Sequence, residues 1–417
     1  MKYLIIGNSA AGVNAAQTIR SKDKEGKITI LSNESIEAYG RPLISYFLSG
    51  KIAKENIFYR NKNFYKKEKI DLFLDTYAQK IDIKSKKVMT DDLREFDYDK
   101  LLIATGSIPF IPETKNLKNQ KNVFTFLTYD QSKKIKETIK SDSKVVIAGG
   151  GLIGLKAAEG LYGKVADITV IDLADRVMAS VLDKSAADMI QNHIAQKGIN
   201  FILKTSISEV RGQDLVEKVV LSNGKELDCD ILIIAVGVRP NTALAKEAGL
   251  TVNRGIVVNE FMQTSDKDIY AAGDCVESLD LLSKENKVLA LMPNAVNQGE
   301  TAGFNMAGYE KKTPPSFAMN AISFFGMQLI SAGITGGNEA NIFTDKDGDK
   351  LRRLNIANDD LIGFVLINDI QRAGIYTSLI NDRVRLSDLE YDIKSSDIGL
   401  SVYKKPTRQD KIWGRQQ

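Results

Sequence analysis

One unit of sequence occurs twice, and that repetition limits what the chain can become. Tyr3-Leu4-Ile5-Ile6 is apolar and suited to a strand, Gly7-Asn8-Ser9-Ala10-Ala11-Gly12 follows as a turn, and a helix to about Arg20 leads to a second apolar strand at 28–31. The order returns at Lys144, with a strand at 145–148, the turn Gly149-Gly150-Gly151-Leu152-Ile153-Gly154, a helix to about Tyr162 and a strand at 168–171. A strand, a tight turn, a helix and another strand make a parallel βαβ unit, whose crossover is right-handed. Two such units predict an α/β chain with two parallel, helix-covered sheets.

The turn has its own chemistry. Glycine allows a sharp bend and close approach of a pyrophosphate, and the following helix N-terminus offers free N–H groups and partial positive charge. An acid ending the second strand accepts bonds from ribose hydroxyls. The second unit meets every condition: Gly149, Gly151 and Gly154, then Asp172 closing the strand at 168–171. Asp172 favours the free 2′-hydroxyl of NADH, while nearby Arg176 leaves NADPH open. The first unit departs from the pattern. Ser9 takes the middle glycine position, and the acid is displaced to Glu34, two residues after Ser32.

Each unit runs into a hairpin-rich stretch, around 81–90 and around 216–227, the latter turning at Asn223-Gly224. Each stretch then closes with an apolar strand and a glycine: Leu101-Leu102-Ile103-Ala104-Thr105-Gly106 and Ile231-Leu232-Ile233-Ile234-Ala235-Val236-Gly237. A further strand, Ile269-Tyr270-Ala271-Ala272, leads into Gly273-Asp274, and Pro293 marks a helix start. From about Thr313 the pattern changes to strands at 351–357 and 361–366 and a helix at about 370–381, with no glycine-rich turn. This predicts a further domain, in line with roughly 100–200 residues per domain in a chain of 417. The end is polar and basic, with Lys404, Lys405, Arg408, Lys411 and Arg415 around Trp413, and reads as a solvated, frayed terminus.

A net charge of +4 is too small to argue for nucleic acid. No apolar run reaches the ~18 residues of a membrane helix, and the first strand begins so near Met1 that no leader is expected, which predicts a cytoplasmic protein. Two distant cysteines, Cys229 and Cys275, cannot ligate an iron–sulfur cluster of the usual kind, and one histidine, His193, makes no metal site. His193 reads as a surface position on a helix, and Cys275 as a small buried residue.

These elements together resemble the FAD- and NAD(P)-dependent pyridine nucleotide–disulfide oxidoreductase superfamily. Ala104-Thr105-Gly106 and Ala272-Gly273-Asp274 carry the likeness, as does Tyr39-Gly40-Arg41-Pro42-Leu43-Ile44-Ser45, which resembles a stretch of rubredoxin reductases and of the NADH-oxidising part of nitrite reductases. The resemblance implies two Rossmann-like domains, the NAD(P) domain (113–241) inserted in the FAD domain (1–112 and 242–312), plus a C-terminal α+β interface domain (313–417). FAD would lie on Gly7, Ser9, Ala10, Ala11, Gly12 and Glu34, with Arg41 and Pro42 beside pyrophosphate and flavin. Ala78 would serve adenine. Ala104, Thr105, Gly106, Gly273 and Asp274 would serve the rest of the cofactor, and Phe325 would approach the flavin. NADH would lie on Gly149, Gly151, Leu152, Ile153, Gly154 and Asp172, with Gly237 near the nicotinamide.

Disulfide and peroxide reductases of this superfamily carry cysteine on the helix after the first unit, but residues 38–50 contain none. Without a thiol nucleophile those reactions are excluded by that route. Direct transfer from NADH through flavin to an outside acceptor is left, with the protein supplying alignment and electrostatics. Where relatives have a Glu and a Lys near the flavin, this chain has Lys156 and Tyr46. Lys156 is either a cation at the flavin–nicotinamide contact or an i,i+3 partner of Glu159. The implied partner is an acidic carrier, a rubredoxin, a ferredoxin or an iron–sulfur subunit, and the implied state a monomer or homodimer. The competing readings are an NADH oxidase forming hydrogen peroxide and an NADH-sensing flavoprotein scaffold.

Overall fold

The computed structural model describes residues 1–118, 120–336, 341–395 and 398–413. Among these residues no helix is long and apolar enough to cross a membrane. Three five-stranded sheets organise the chain. The first centres on Lys2–Ile6, with Lys27–Leu31 and Ile70–Phe73 to one side and Lys100–Ile103 and Ile269–Ala271 to the other, all parallel. The second repeats that order around Lys144–Ala148: Asp167–Ile171 and Asn200–Ile202 on one side, Ile231–Ile234 and Val123–Thr125 on the other. In both central strands every residue after the leading lysine is buried, as a sheet covered on both faces requires.

The two glycine turns are near copies. Gly7 has φ +118° and Gly149 φ +115°, and a Cβ there would lie 2.1 Å from the Ala104 oxygen or 2.3 Å from the Ala235 oxygen. Helices Ala10–Lys22 and Leu152–Leu161 follow directly. A second close approach was not foreseen from sequence. Helix Met292–Met306 lies on Ala10–Lys22, where a Cβ on Gly299 would come within 2.2 Å of the Ala11 oxygen.

The second sheet is an insertion. The chain leaves the first sheet through Ser107–Pro109 and returns through Val238–Pro240, and these two strands pair antiparallel. The Arg239 guanidinium stacks on the Phe110 ring at 3.9 Å across this junction. The two hairpin stretches are three-stranded meanders, one of Ala78–Asp82, Lys87–Thr90 and Glu95–Asp97, the other of Ile207–Arg211, Lys218–Leu221 and Glu226–Asp228.

The third sheet is antiparallel, ordered Met319–Phe324, Met327–Gly333, Asp360–Ile367, Lys350–Ala357 and Asn341–Asp347. Helix Ala373–Asp382 covers it through Tyr376, whose ring lies 5.5 Å from that of Phe364. Two of these strands and the helix were legible in the sequence. Asn341–Asp347 was not, because it is almost wholly exposed and shows no apolar alternation. The basic end differs from the expected frayed terminus. Residues 405–413 form a helix, and the Lys411 ammonium pairs with Asp382 and donates to Ser378 Oγ at 2.7 Å. Arg415 lies outside the described residues.

Candidate functional site

A cavity of about 1240 Å³ opens along the carboxyl edge of the first sheet and reaches helix Leu152–Leu161 of the second unit and the third sheet. Gly7, Ser9, Ala10, Ala11, Glu34, Arg41, Pro42, Ala78, Ala104, Thr105, Gly106, Gly273 and Asp274 all line it, as expected from sequence. Gly12 does not. A Cβ there would lie 2.0 Å from the Gly7 oxygen, so its role is to let the helix close on the turn.

The groups on this wall form a connected network. Ser9 N-caps helix Ala10–Lys22 without spending its hydroxyl on a cap bond, and no acid stands in the first turn. The Arg41 guanidinium donates to Ser9 Oγ at 3.4 Å, to the Leu127 carbonyl at 3.2 Å and to Glu34 at 2.5 Å. Glu34 also accepts from the Tyr39 hydroxyl at 2.6 Å. Asp274 accepts from Ser107 Oγ at 3.1 Å, and burial pushes its carboxyl above the usual range while Ser107 and Arg41 oppose the shift. Thr105 Oγ1 is turned instead to the Asn241 carbonyl at 2.7 Å, tying the returning chain to this strand end. The side-chain nitrogen of Asn8, which also lines the cavity, is buried with no partner among the described residues.

An open helix N-terminus, a turn that only glycine fits, an arginine on the wall and an unused buried donor suit an FAD pyrophosphate. Gly7 to Ala11, with Arg41, would hold it.

The second unit meets the same cavity. Leu152, Ile153 and Lys156, from the first turns of helix Leu152–Leu161, share its wall with Tyr46 and with Ala321, Ile322 and Ser323 of the third sheet. Gly149, Gly151, Gly154, Asp172 and Gly237 lie outside that wall. A Cβ on Gly151 or Gly237 would meet nothing within 4 Å, whereas one on Gly154 would sit 1.9 Å from the Gly149 oxygen. The Asp172 carboxylate accepts from the Gly150 N–H at 2.6 Å and the Ala174 N–H at 2.8 Å, which locks it against the turn. Arg176 is tied off, donating to the Leu182 carbonyl at 3.0 Å and pairing with Asp175 at 2.7 Å.

Lys156 makes the i,i+3 pair with Glu159 that the sequence offered, and it also lines the cavity. Its ammonium pairs with Glu159, donates to the Ser323 carbonyl at 3.3 Å and lies 4.8 Å from the Tyr46 ring centre. Glu159, missed as a site residue, also accepts from the Phe325 N–H at 3.0 Å, so it joins the inserted domain to the third sheet. Phe325 departs from expectation. It sits at φ +49° in the hairpin turn, packs edge-on to Tyr162 at 5.2 Å and does not line the cavity.

His193 is likewise not a free surface residue: half-buried, its Nε2 lies 3.2 Å from the Phe325 carbonyl. Cys275 is fully buried, donates to the Ala272 and Ile103 carbonyls at 3.4 and 3.5 Å, and has its thiol pushed up by burial.

Two glycine-turn units that open on one cavity, with no cysteine on its wall, define a flavin- and nicotinamide-dependent oxidoreductase. The chain belongs to the pyridine nucleotide-disulphide oxidoreductase family, whose model matches residues 1–299, and the model of the rubredoxin NAD+ reductase C-terminal domain matches residues 319–384. It is 36% identical to an NADH oxidase of Methanocaldococcus jannaschii over 80% of this chain and 76% of that one. It is 33% identical to a rubredoxin-NAD(+) reductase of Pseudomonas putida over 76% of this chain and 83% of that one. A nitrite reductase [NAD(P)H] of Bacillus subtilis is 32% identical over 93% of this chain, which spans only 48% of that relative's length. Among solved structures, the putidaredoxin reductase–putidaredoxin complex matches with TM-score 0.86 and 25% identity, covering 92% of this chain and 94% of that one.

Proposed function

We propose that the chain oxidises NADH and passes the electrons, through FAD, to a separate iron–sulfur carrier such as a rubredoxin, a ferredoxin or a partner subunit. One observation supports this most. The first turns of the inserted domain's helix and the wall formed by Pro42, Tyr46 and Ser323 enclose one shared cavity that holds no thiol. Bound FAD would supply the chemistry, taking two electrons as a hydride and releasing them singly.

The chain's own residues supply binding and alignment. The turn at Gly7–Ala11 and Arg41 would hold the pyrophosphate, and Asp274 the ribityl chain. Gly149–Gly154 and Asp172 would hold NADH in preference to NADPH, since Asp172 is fixed at the turn and Arg176 is engaged elsewhere. Lys156 and Tyr46 would stand where the two rings meet. No proton donor or acceptor is needed for direct transfer, in keeping with a wall that carries no histidine or cysteine among its described residues.

Relatives named rubredoxin-NAD(+) reductase and ferredoxin--NAD(+) reductase component, at 33% and 29% identity, support the carrier reading, while relatives named NADH oxidase, at 36% and 28%, keep the oxidase as the alternative. The domain division follows the resemblance, at 112/113, 241/242 and 312/313. Two buried free cysteines suit a reducing, cytoplasmic setting.

A steady-state assay with NADH and NADPH against rubredoxin, ferredoxin and O₂ tests the reading. Fast NADH-dependent reduction of an iron–sulfur carrier supports it. Turnover with O₂ alone, releasing hydrogen peroxide, replaces it with the oxidase. Flavin reduction too slow for turnover replaces it with a sensor.

A further inference from the structure

We infer that the electron carrier docks on a lysine-edged face around helix Ile44–Ser49, beside Tyr46 of the cavity wall. The inference rests on the electron-carrier reading above. Tyr46 lines the cavity, and both Lys156, at 4.8 Å, and Lys51, at 5.7 Å, lie near its ring centre.

Around it, exposed cations rest on aromatic rings rather than on carboxylates. Lys54 lies 5.7 Å from the Tyr129 ring centre, and Lys136 4.5 Å from that of Phe47. Lys164 Nζ lies 3.7 Å from where a Cβ would stand on Gly50. Among the described residues none of these four lysines has a carboxylate within ion-pairing distance. The acids nearby are Asp130, which accepts from Ser35 Oγ at 3.2 Å, Glu137, which lies 3.8 Å from Lys133, and Glu55.

Lys51, Lys54 and Lys136 lie over ring faces, which hold a cation without neutralising it. A cluster of such charges steers an oppositely charged partner and fixes its register. The face also has an aromatic anchor of the kind that carries binding energy, Tyr162, which is 47% exposed and backed by Phe325. The occupant that fits is a small, net-acidic, one-electron carrier protein whose metal centre lies near its surface. The electron count balances. Each NADH becomes NAD⁺ and gives up two electrons with one proton released, and two carriers in succession each take one electron.

The experiment uses the FAD-loaded full chain and oxidised rubredoxin as probe. The charge-reversal variant K51E/K54E/K164E is compared with wild type, with the conservative K51R/K54R/K164R, and with a distant control, K80E/K84E. Two quantities are read: the Kd for rubredoxin as a function of salt, and kcat/KM for rubredoxin beside that for menadione, an uncharged small acceptor. The expected result is a Kd raised roughly tenfold or more at low salt, with a flattened salt dependence. The kcat/KM for rubredoxin falls in step, while NADH-driven flavin reduction and menadione turnover stay within about twofold, and the arginine variant behaves as wild type. Charge reversal that leaves rubredoxin affinity and its salt dependence unchanged, or that weakens them no more than K80E/K84E does, overturns the docking face while the carrier reading stands. Failure of the wild type to bind or reduce any iron–sulfur carrier overturns the carrier reading and the docking face together.

Discussion

At the scale of single residues, the ion pair of Lys156 and Glu159 is the point where three parts of the chain meet. Lys156 faces the cavity beside Tyr46, and Glu159 holds the Phe325 N–H of the third sheet. Both side chains are largely buried, at 14% and 9% exposure, so the pair is shielded from screening. Replacing Lys156 with Gln removes the cation and leaves the helix intact. The expected outcome is a flavin midpoint potential lowered by about 30 mV, the equivalent of a tenfold change in a two-electron equilibrium, together with slower hydride transfer from NADH. Potentiometry and stopped-flow absorbance measure the two quantities, and no change in either reduces Lys156 to an element of domain packing. The sequence exposed this residue only through its likeness to a family that carries Glu there. Its partner Glu159 was visible as an i,i+3 neighbour, but its second bond to Phe325 was not, because nothing local links residues 166 positions apart.

At the scale of elements, the glycines of one turn do two different jobs. Gly154 lets its helix close on the preceding turn, whereas Gly151 faces open space. Gly154→Ala is therefore expected to force backbone displacement, costing roughly 1–3 kcal/mol of stability and NADH binding with it. Gly151→Ala should keep the melting temperature of the wild type while raising the KM for NADH, through crowding of the phosphate path. Thermal melts beside steady-state kinetics distinguish them, and equal melting temperatures for the two variants would contradict the assignment. The same motif in sequence made both glycines look like ligand contacts, since spacing alone does not show which neighbour each one meets.

Asp268 is an element-level clamp that no motif announces. It sits just before strand Ile269–Ala271 and pairs with Lys86 of a meander turn at 2.6 Å and Lys100 of the adjacent strand at 2.8 Å. Hydrogen bonds from Lys100 and then Lys86 hold its carboxyl down at about 2, against a usual 3.8. As pH falls below about 4, the unfolded chain takes up a proton that native Asp268 still refuses, so its contribution is full above that pH and is lost on approach to pH 2. Asp268→Asn should flatten this part of the acid limb in a pH series of melting temperatures. An unchanged acid limb would show that the pair contributes nothing.

At the scale of the whole molecule, the inserted domain and the third sheet share one buried apolar cluster, and a few specific polar contacts cross between them. Arg353 pairs with Asp183, which also N-caps helix Lys184–Ala195. Thr335 donates to the Val181 carbonyl at 2.7 Å, and His193 meets Phe325. Arg353→Ala is expected to lower the melting temperature by roughly 3–6 °C and to speed amide exchange in the hairpin of Met319–Phe324 and Met327–Gly333. Exchange confined to Lys350–Ala357 would mean that this contact does not couple the two bodies.

The two βαβ units, the acid at Asp172 and the lack of cysteine between Ala38 and Gly50 were determined by sequence alone. Strand, turn and helix of such a unit are contiguous, and their apolar periods and glycine spacing are local properties of the chain. Tertiary structure alone decided that both units open on one cavity, that Lys156 meets Tyr46 there, that Arg176 is tied to its own loop and that Phe325 turns away. Each of those depends on which distant strand or hairpin arrives alongside, through packing that satisfies buried charges and backbone groups, and residue spacing along the chain carries no record of it.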